Sequence, residues 1–536
     1  MPSLNPKLIF LDFYPDRGCY LLDQAVKLIL NLEAAGLSSV NLQLTITRGV
    51  SVVEQIVRPV ELSSGVNRME WEWQPVYPGL GGYGAEIKVQ QSPDERAFLG
   101  DSIQTAFDVL ETWIAFPRYG FLCDFSPNRK NAAETLQTLA KYHINGLQFY
   151  DWQYRHDSLV PALDEFIDPL GRPLSLVTIR DLLDEAHAHG MAAMPYLAVY
   201  AASAVFWRSH PEWALYDRDR KVIPFGDDFL GLMNPAPGSA WQRHLLDECG
   251  KVLASLPFDG LHIDQYGEPR EVYDHDGQPV NLPIAFGAFV QAAVREHPDQ
   301  PVLFNAVGNW PIESLASAPT AFNYIEVWPP DTAYLDLVRI VRNARTLSGG
   351  KAVVIALYIP AERTSNIRLA NALIHSAGGS RIELGENERL LSDPYFPKHE
   401  ALSEELRTAL RRSSDFVVRY SDWIGPVISE TARICVHTPL GVEAFVREIP
   451  DGWSLSLVNL VGLQSSQWNE VHPAPQAVEK FMLELDIAEE IENVYWASPD
   501  GESLMAEQMV FTQSAGIVKI SIPRLDYWGV LFLKAD

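Results

Sequence analysis

The sequence predicts a multidomain chain in which a central (β/α)8 TIM-type barrel is flanked by an N-terminal immunoglobulin-like β-sandwich and a C-terminal β-sandwich. Three observations predict it. Apolar and polar residues alternate at period two up to about residue 110 and again from about residue 421, the pattern of half-buried antiparallel strands. Between these stretches, short apolar runs alternate with amphipathic helical segments, the pattern of a parallel sheet with crossover helices. That middle region of roughly 300 residues holds eight candidate strands, the number a closed barrel needs. The expected divisions are 1–110, 111–420 and 421–536.

Each element follows from its own stretch. In the first division, Lys27–Leu32, Val40–Ile46, Trp71–Trp73 and Ala85–Val89 alternate, and the Leu80-Gly81-Gly82-Tyr83-Gly84 cluster marks a turn between them. The eight middle strands are expected at 119–125, 146–152, 191–200, 260–267, 302–308, 324–329, 352–360 and 381–385. Helices are expected at 132–142, 178–189, 241–256 and 285–296. The longest gap between strands, 201–259, contains Trp207, Trp213 and Trp241 and reads as one elaborated βα loop. The last division alternates at 442–447, 453–460, 518–522 and 529–533. No internal repeat or low-complexity tract breaks the pattern.

Composition bounds the function. The 536 residues are 47% hydrophobic, enough for large cores and against disorder. The net charge of −27, without a basic block, argues against nucleic acid and anionic membranes, both of which demand clustered Lys and Arg. No apolar run reaches the roughly 18 residues of a membrane span. Cys19, Cys123, Cys249 and Cys435 are scattered without a CxxC pair, so buried free thiols are expected rather than a zinc or disulfide framework. His187 and His189, two residues apart on a predicted helix, do not face one metal and read as a solvated helix end. The N-terminus lacks a charged region followed by an apolar run, which leaves a cytoplasmic protein, or a secreted one whose signal was removed. Oligomeric state is not legible.

The chemistry gathers at predicted strand ends. In Gly260–Gly267, side-chain alternation puts Leu261, Ile263 and Gln265 on one face and His262, Asp264 and Tyr266 on the other. The aliphatic face suits covering helices, which leaves Asp264 in the barrel near the strand's C-terminal end, where catalytic residues collect. In Tyr324–Pro329, Tyr324, Glu326 and Trp328 likewise share the inner face. The Trp328 ring is expected to disfavour ionisation of Glu326. A protonated carboxyl facing an ionised one is what glycosidic bond cleavage requires. Taken singly, each also suits a structural role: Asp264 bonded to a loop backbone, Glu326 paired with a loop Arg. Tyr150, Asp151, Arg155, His156, Tyr196, Tyr200, Asn234, Asn305 and Trp310 fall at or beyond the same predicted strand ends. Aromatic rings stack on the apolar faces of sugars, and polar groups take up the hydroxyls. No G-x-S-x-G elbow or P-loop is present.

The segments 113–122, 149–156, 259–267 and 324–329 together resemble glycoside hydrolase family 66, which contains dextranases and cycloisomaltooligosaccharide glucanotransferases. The resemblance covers most of the chain. It implies retaining cleavage of α-1,6-glucosidic linkages in dextran or isomaltooligosaccharides, with Asp264 as nucleophile, Glu326 as general acid/base, and no metal or cofactor. Tyr150, Asp151, Asn234, Asn305 and Trp310 resemble substrate-contacting positions, and Tyr196, Tyr200, Arg155, His156, His262 and Trp328 complete the expected sugar-binding set. The cyclising members carry a carbohydrate-binding module inserted in the barrel, and no gap here is long enough for one. Hydrolysis is therefore expected over transglycosylation to cyclic or longer products. The rivals are an α-galactosidase-like barrel and a non-catalytic glucan-binding protein. The flanking sandwiches are expected to serve as supports.

Overall fold

The computed structural model describes residues 8–74, 79–90, 102–226, 229–426 and 430–535. Residues 1–7, weighed above as a signal, lie outside them. Eight parallel strands run through the middle of the chain: β1 (Tyr119–Leu122), β2 (Gly146–Phe149), β3 (Ala192–Ala198), β4 (Leu261–Asp264), β5 (Val302–Val307), β6 (Asn323–Glu326), β7 (Val353–Ala356) and β8 (Ser380–Ile382, continued by Leu384–Gly385). Each pairs with the next in sequence order. The two halves of β8 pair differently: Ser380–Ile382 with β7, and Gly385 with Phe121 of β1.

The strands are buried on both faces, and alternation divides them. Tyr119, Phe121, Met194, Leu303, Tyr324, Val354, Ala356 and Ile382 form one apolar cluster. Their neighbours Leu122, Leu197, Leu261, Ile263, Phe304, Ile325 and Ile355 belong to another, shared with the helices. Burying each such side chain stabilises the fold by about 1.5–3 kcal/mol. A helix follows every strand: Ala132–Lys141, Leu176–Ala188, Ala240–Ser255, Leu282–Glu296, Ile312–Ala316, Tyr334–Leu347, Thr364–Ser376 and Glu404–Arg419. Several start at an Ser or Asn whose side chain accepts from the first-turn amides: Ser175 from Val177 and Thr178, Ser239 from Gln242, Asn281 from Ile284, and Ser403 from Leu406. The 201–259 segment carries its own three-stranded sheet before the Ala240–Ser255 helix.

The flanking regions are sheet on sheet. Before β1, a three-stranded and a five-stranded sheet share a core that includes Leu28, Leu30, Leu42, Leu44, Trp71 and Ile87. After the last long helix, a four-stranded and a five-stranded sheet enclose Leu455, Leu457, Leu483, Leu485, Val518 and Ile520. Among the described residues no helix is long and apolar enough to cross a membrane.

Two expectations from sequence fail here. Cys435 is exposed on an edge strand, while Cys19, Cys123 and Cys249 are buried as expected. His187 is half-exposed at its helix end but not free in solvent: its Nε2 lies 2.9 Å from Asp259 Oδ2, which also accepts from the Ala193 amide at 2.7 Å. The turn that starts β4 is thereby clipped to the helix before β3. Asp259 keeps the His187 imidazole above its ordinary pKa.

Candidate active site

Asp264 and Glu326 are the last residues of β4 and β6. Because the strands are parallel, both carboxyls reach the same edge of the sheet. Register offsets them by one inward-facing layer: Ile263 of β4 pairs with Phe304, which puts Asp264 beside Asn305, while Asn305 pairs with Tyr324 and Val307 with Glu326. Asn305 lies on β5 between them and shares the inner parity of Leu303. Its Nδ2 donates to Asp264 Oδ1 at 2.8 Å and to Glu326 Oε2 at 3.0 Å. The two hydrogens of a planar amide diverge by about 120°, so these contacts hold the two accepting oxygens about 5 Å apart.

Further donors aim at the pair. The Tyr358 hydroxyl donates to Glu326 Oε1 at 2.7 Å. Tyr196 and the Gln265 backbone favour the ionised form of Asp264, and Trp328 that of Glu326. Burial outweighs them. It lifts the Asp264 carboxyl, helped by repulsion from Glu326, to about 7. It also lifts Glu326 against Tyr358, Asn305 and Trp328. Two buried carboxyls this close titrate as a pair, and the charge of one disfavours ionisation of the other. Trp328 was expected to raise Glu326 by its apolar ring. It is 37% exposed and acts the other way, because it presents a donor rather than a desolvating face.

Beside the pair opens a cavity of about 570 Å³ lined by Tyr150, Asp151, His156, Tyr196 and Tyr200 among others. Tyr150 stacks on Phe396 at 4.2 Å and meets Tyr196 at 5.2 Å. Asp151 takes the left-handed conformation, φ 54°, which a non-glycine residue rarely adopts. This aims its carboxylate at Arg172, 3.3 Å away, and Asp168 pins Arg172 from behind at 2.6 Å. Burial lifts Asp151 to about 6 although Arg172 opposes it. Burial lowers His156 to about 4, so it is a neutral imidazole at neutral pH.

Four expected sugar contacts do not line this cavity. His262 is fully buried beneath Asp264, its Nδ1 3.1 Å from the Tyr119 hydroxyl and its ring edge-on to Tyr324. Alternation gave its face correctly but not its depth, and desolvation lowers it to about 3. Arg155 folds back onto the Tyr154 ring at 4.1 Å and donates to the Tyr154 and Ile167 carbonyls. Asn234 accepts from the Ala236 amide and shapes its own turn. Trp310 packs under Arg270 at 4.6 Å, and its carbonyl accepts from Gln265.

Sequence reasoning missed Tyr358, Arg172, Asp168 and Tyr395. Tyr358 was within reach, since it has the inward parity of Val354 and Ala356. Arg172 and Asp168 sit at the turn of a short hairpin, Glu165–Ile167 paired with Pro173–Ser175, between β2 and the next helix, and its three-residue strands are too short for periodicity to mark.

The chain matches known proteins over most of its length. The family model described as glycosyl hydrolase family 66 matches residues 15–532. A cycloisomaltooligosaccharide glucanotransferase of Niallia circulans is 22% identical over 706 aligned positions, covering 97% of this chain and 72% of the relative. A dextranase of Streptococcus salivarius is 21% identical, covering 85% of this chain and 68% of its own. In fold, the crystal structure of a Paenibacillus cycloisomaltooligosaccharide glucanotransferase complexed with cycloisomaltoheptaose matches with a TM-score of 0.90 at 21% identity, over 98% of this chain and 100% of that one. The match to the family model runs through both flanking regions and the strands that carry Asp264 and Glu326, and the chain belongs to glycosyl hydrolase family 66.

Proposed function

We propose that the protein is a retaining glycosidase that hydrolyses α-1,6-glucosidic linkages of dextran or isomaltooligosaccharides, on a (β/α)8 barrel supported by two β-sandwiches. The pairing of Gly385 with Phe121 supports the closed barrel. The observation that carries the retaining mechanism is the Asn305 bridge. A carboxyl spacing of about 5 Å suits direct attack by one of them, whereas an inverting enzyme leaves about 6.5–9.5 Å for a water. The relatives' names supply the substrate class.

In this mechanism Glu326 gives its proton to the glycosidic oxygen while the Asp264 carboxylate attacks the anomeric carbon. The bond to the leaving sugar breaks and a glucosyl ester of Asp264 forms. Glu326, now ionised, takes a proton from water. The resulting hydroxide displaces Asp264 and leaves the product with the starting configuration. Asn305, bonded to both carboxyls, holds them in line through both steps. Tyr150, Tyr196 and Tyr200 offer stacking faces, and Asp151 and Arg172 offer polar contacts to hydroxyls.

The relatives' names include transferases, so a sugar hydroxyl in place of water is the second reading. Hydrolysis is favoured because 706 aligned positions against a chain of 536 leave long segments of that relative without a counterpart here. The test is NMR of dextran digestion with the wild type, Asp264→Asn and Glu326→Gln. The α-anomer should form first, and each variant should lose about 10³-fold or more in turnover. Initial β-anomer, or full activity in Asp264→Asn, would refute the mechanism. Cyclic or lengthened products at high substrate would replace hydrolase by transferase.

A further inference from the structure

The C-terminal four-stranded sheet begins with a short edge strand, Cys435–His437, paired antiparallel with Val478–Asp486. Register places Cys435 opposite Asp486 and His437 opposite Glu484. Directly opposed residues of an antiparallel pair project on one face. Val436 and Leu485, between them, turn inward to the core. Cys435, His437 and Asp486 are all exposed, and one potential ligand atom from each lies within 4.8 Å of the others. His437 Nε2 is already 3.4 Å from Asp486 Oδ2. Glu484 is engaged by Lys519 at 2.6 Å, which leaves three ligands.

We propose that Cys435, His437 and Asp486 bind a divalent transition-metal ion of the zinc type. A thiolate, an imidazole and a carboxylate are the donor set that borderline-soft cations select over Mg²⁺ or Ca²⁺. Tetrahedral bonds of about 2.0–2.3 Å put neighbouring ligand atoms about 3.3–3.8 Å apart. The His437–Asp486 gap already meets that figure, and the sulfur closes to it by a side-chain rotation. On binding, the Cys435 thiol gives its proton to solvent and its sulfur takes the metal. The fourth position stays open to water. The ion would cross-link a three-residue edge strand to its neighbour and cover an open sheet edge. Sequence spacing could not show this, because Asp486 is brought to Cys435 by strand register alone.

The test uses the full-length, reduced, metal-stripped protein. Titration with Zn²⁺ in a calorimeter should show one saturable equivalent, released protons, and affinity weakened about tenfold or more in Cys435→Ser and in His437→Ala. Co²⁺ in place of Zn²⁺ should give a thiolate-to-cobalt absorption band in the near ultraviolet that Cys435→Ser lacks. The other three cysteines are buried, so the band reports on Cys435. Glucan turnover should be unchanged in both variants. Absence of saturable binding, wild-type affinity in either variant, or no thiolate band would each overturn the site.

Discussion

Tyr358 is the residue whose removal separates the roles of the two carboxyls. Its hydroxyl donates to Glu326 Oε1 and so stabilises the ionised form. Tyr358→Phe removes that donor, and Glu326 then holds its proton to higher pH. If Glu326 is the acid of the first step, the alkaline limb of kcat/KM moves up by about 0.5–1 pH unit and the maximum falls several-fold. A limb that stays in place would take Glu326 out of the acid's role. Asp264 yields the complementary prediction for stability. Its folded pKa, about 7, lies above the ordinary carboxyl value of 3.8, so the folded state holds this proton better than the unfolded one. That contribution is complete at low pH and is lost as pH rises from 3.8 through about 7. Asp264→Asn cannot ionise. Denaturant melts should show it more stable than wild type at about pH 8, by about 1–3 kcal/mol, and nearly equal at about pH 4. A variant less stable at both values would mean that the carboxyl is not strained by its burial.

At the scale of elements, Gly385 decides whether β8 reaches β1. A Cβ there would stand 2.1 Å from the Phe121 carbonyl oxygen, a backbone atom that cannot swing aside. Gly385→Ala should therefore cost about 2–4 kcal/mol and reduce turnover, read by melting and by dextran cleavage. Unchanged melting would show that the β8–β1 junction is slack. The elements themselves were largely legible, because alternation and helical periodicity are local properties of the chain. All eight middle strands lie within or beside the stretches that alternation marks. Alternation also gave the inward faces of Asp264 and Glu326. It failed on depth: His262 has the right parity but sits one layer below the rim. It is silent on loops, where Asn234 turns its side-chain oxygen to its own turn and Arg172 arrives from the tip of a short hairpin. His187 was misread because its partner, Asp259, is distant in sequence. Parity is written in the chain, whereas depth and long-range partners are fixed only once the strands have packed.

Across the whole molecule, the middle strands and the N-terminal sheets are joined at Asp415. This residue sits on the Glu404–Arg419 helix and is almost fully buried. Its Oδ1 accepts from the Thr105 hydroxyl at 2.9 Å and the Ala106 amide at 3.2 Å, both on an N-terminal strand. The same oxygen lies 2.8 Å from His143 Nε2, beyond the first helix of the middle region. Burial alone would raise the Asp415 carboxyl, but Arg411 and these donors hold it below its ordinary value. Burial also lowers the His143 pKa, so its ring is neutral near pH 7 and Arg411, 3.3 Å from Oδ2, is the charged partner. A carboxylate with a depressed folded pKa contributes stability that is present above the unfolded value of 3.8 and is lost as pH falls through the folded value. Asp415→Asn removes the charge and replaces one acceptor oxygen with an NH2 group that faces donors. It should cost about 2–4 kcal/mol at pH 7, because Arg411 loses its nearer carboxylate and some of the buried donors lose their acceptor. The deficit against wild type should shrink as pH drops below 3.8, since the wild type then protonates the same group. Denaturant unfolding at about pH 7, 5 and 3 measures this. If the deficit is constant across that range, the loss is one of packing, and the junction between the two regions does not depend on the Asp415 charge.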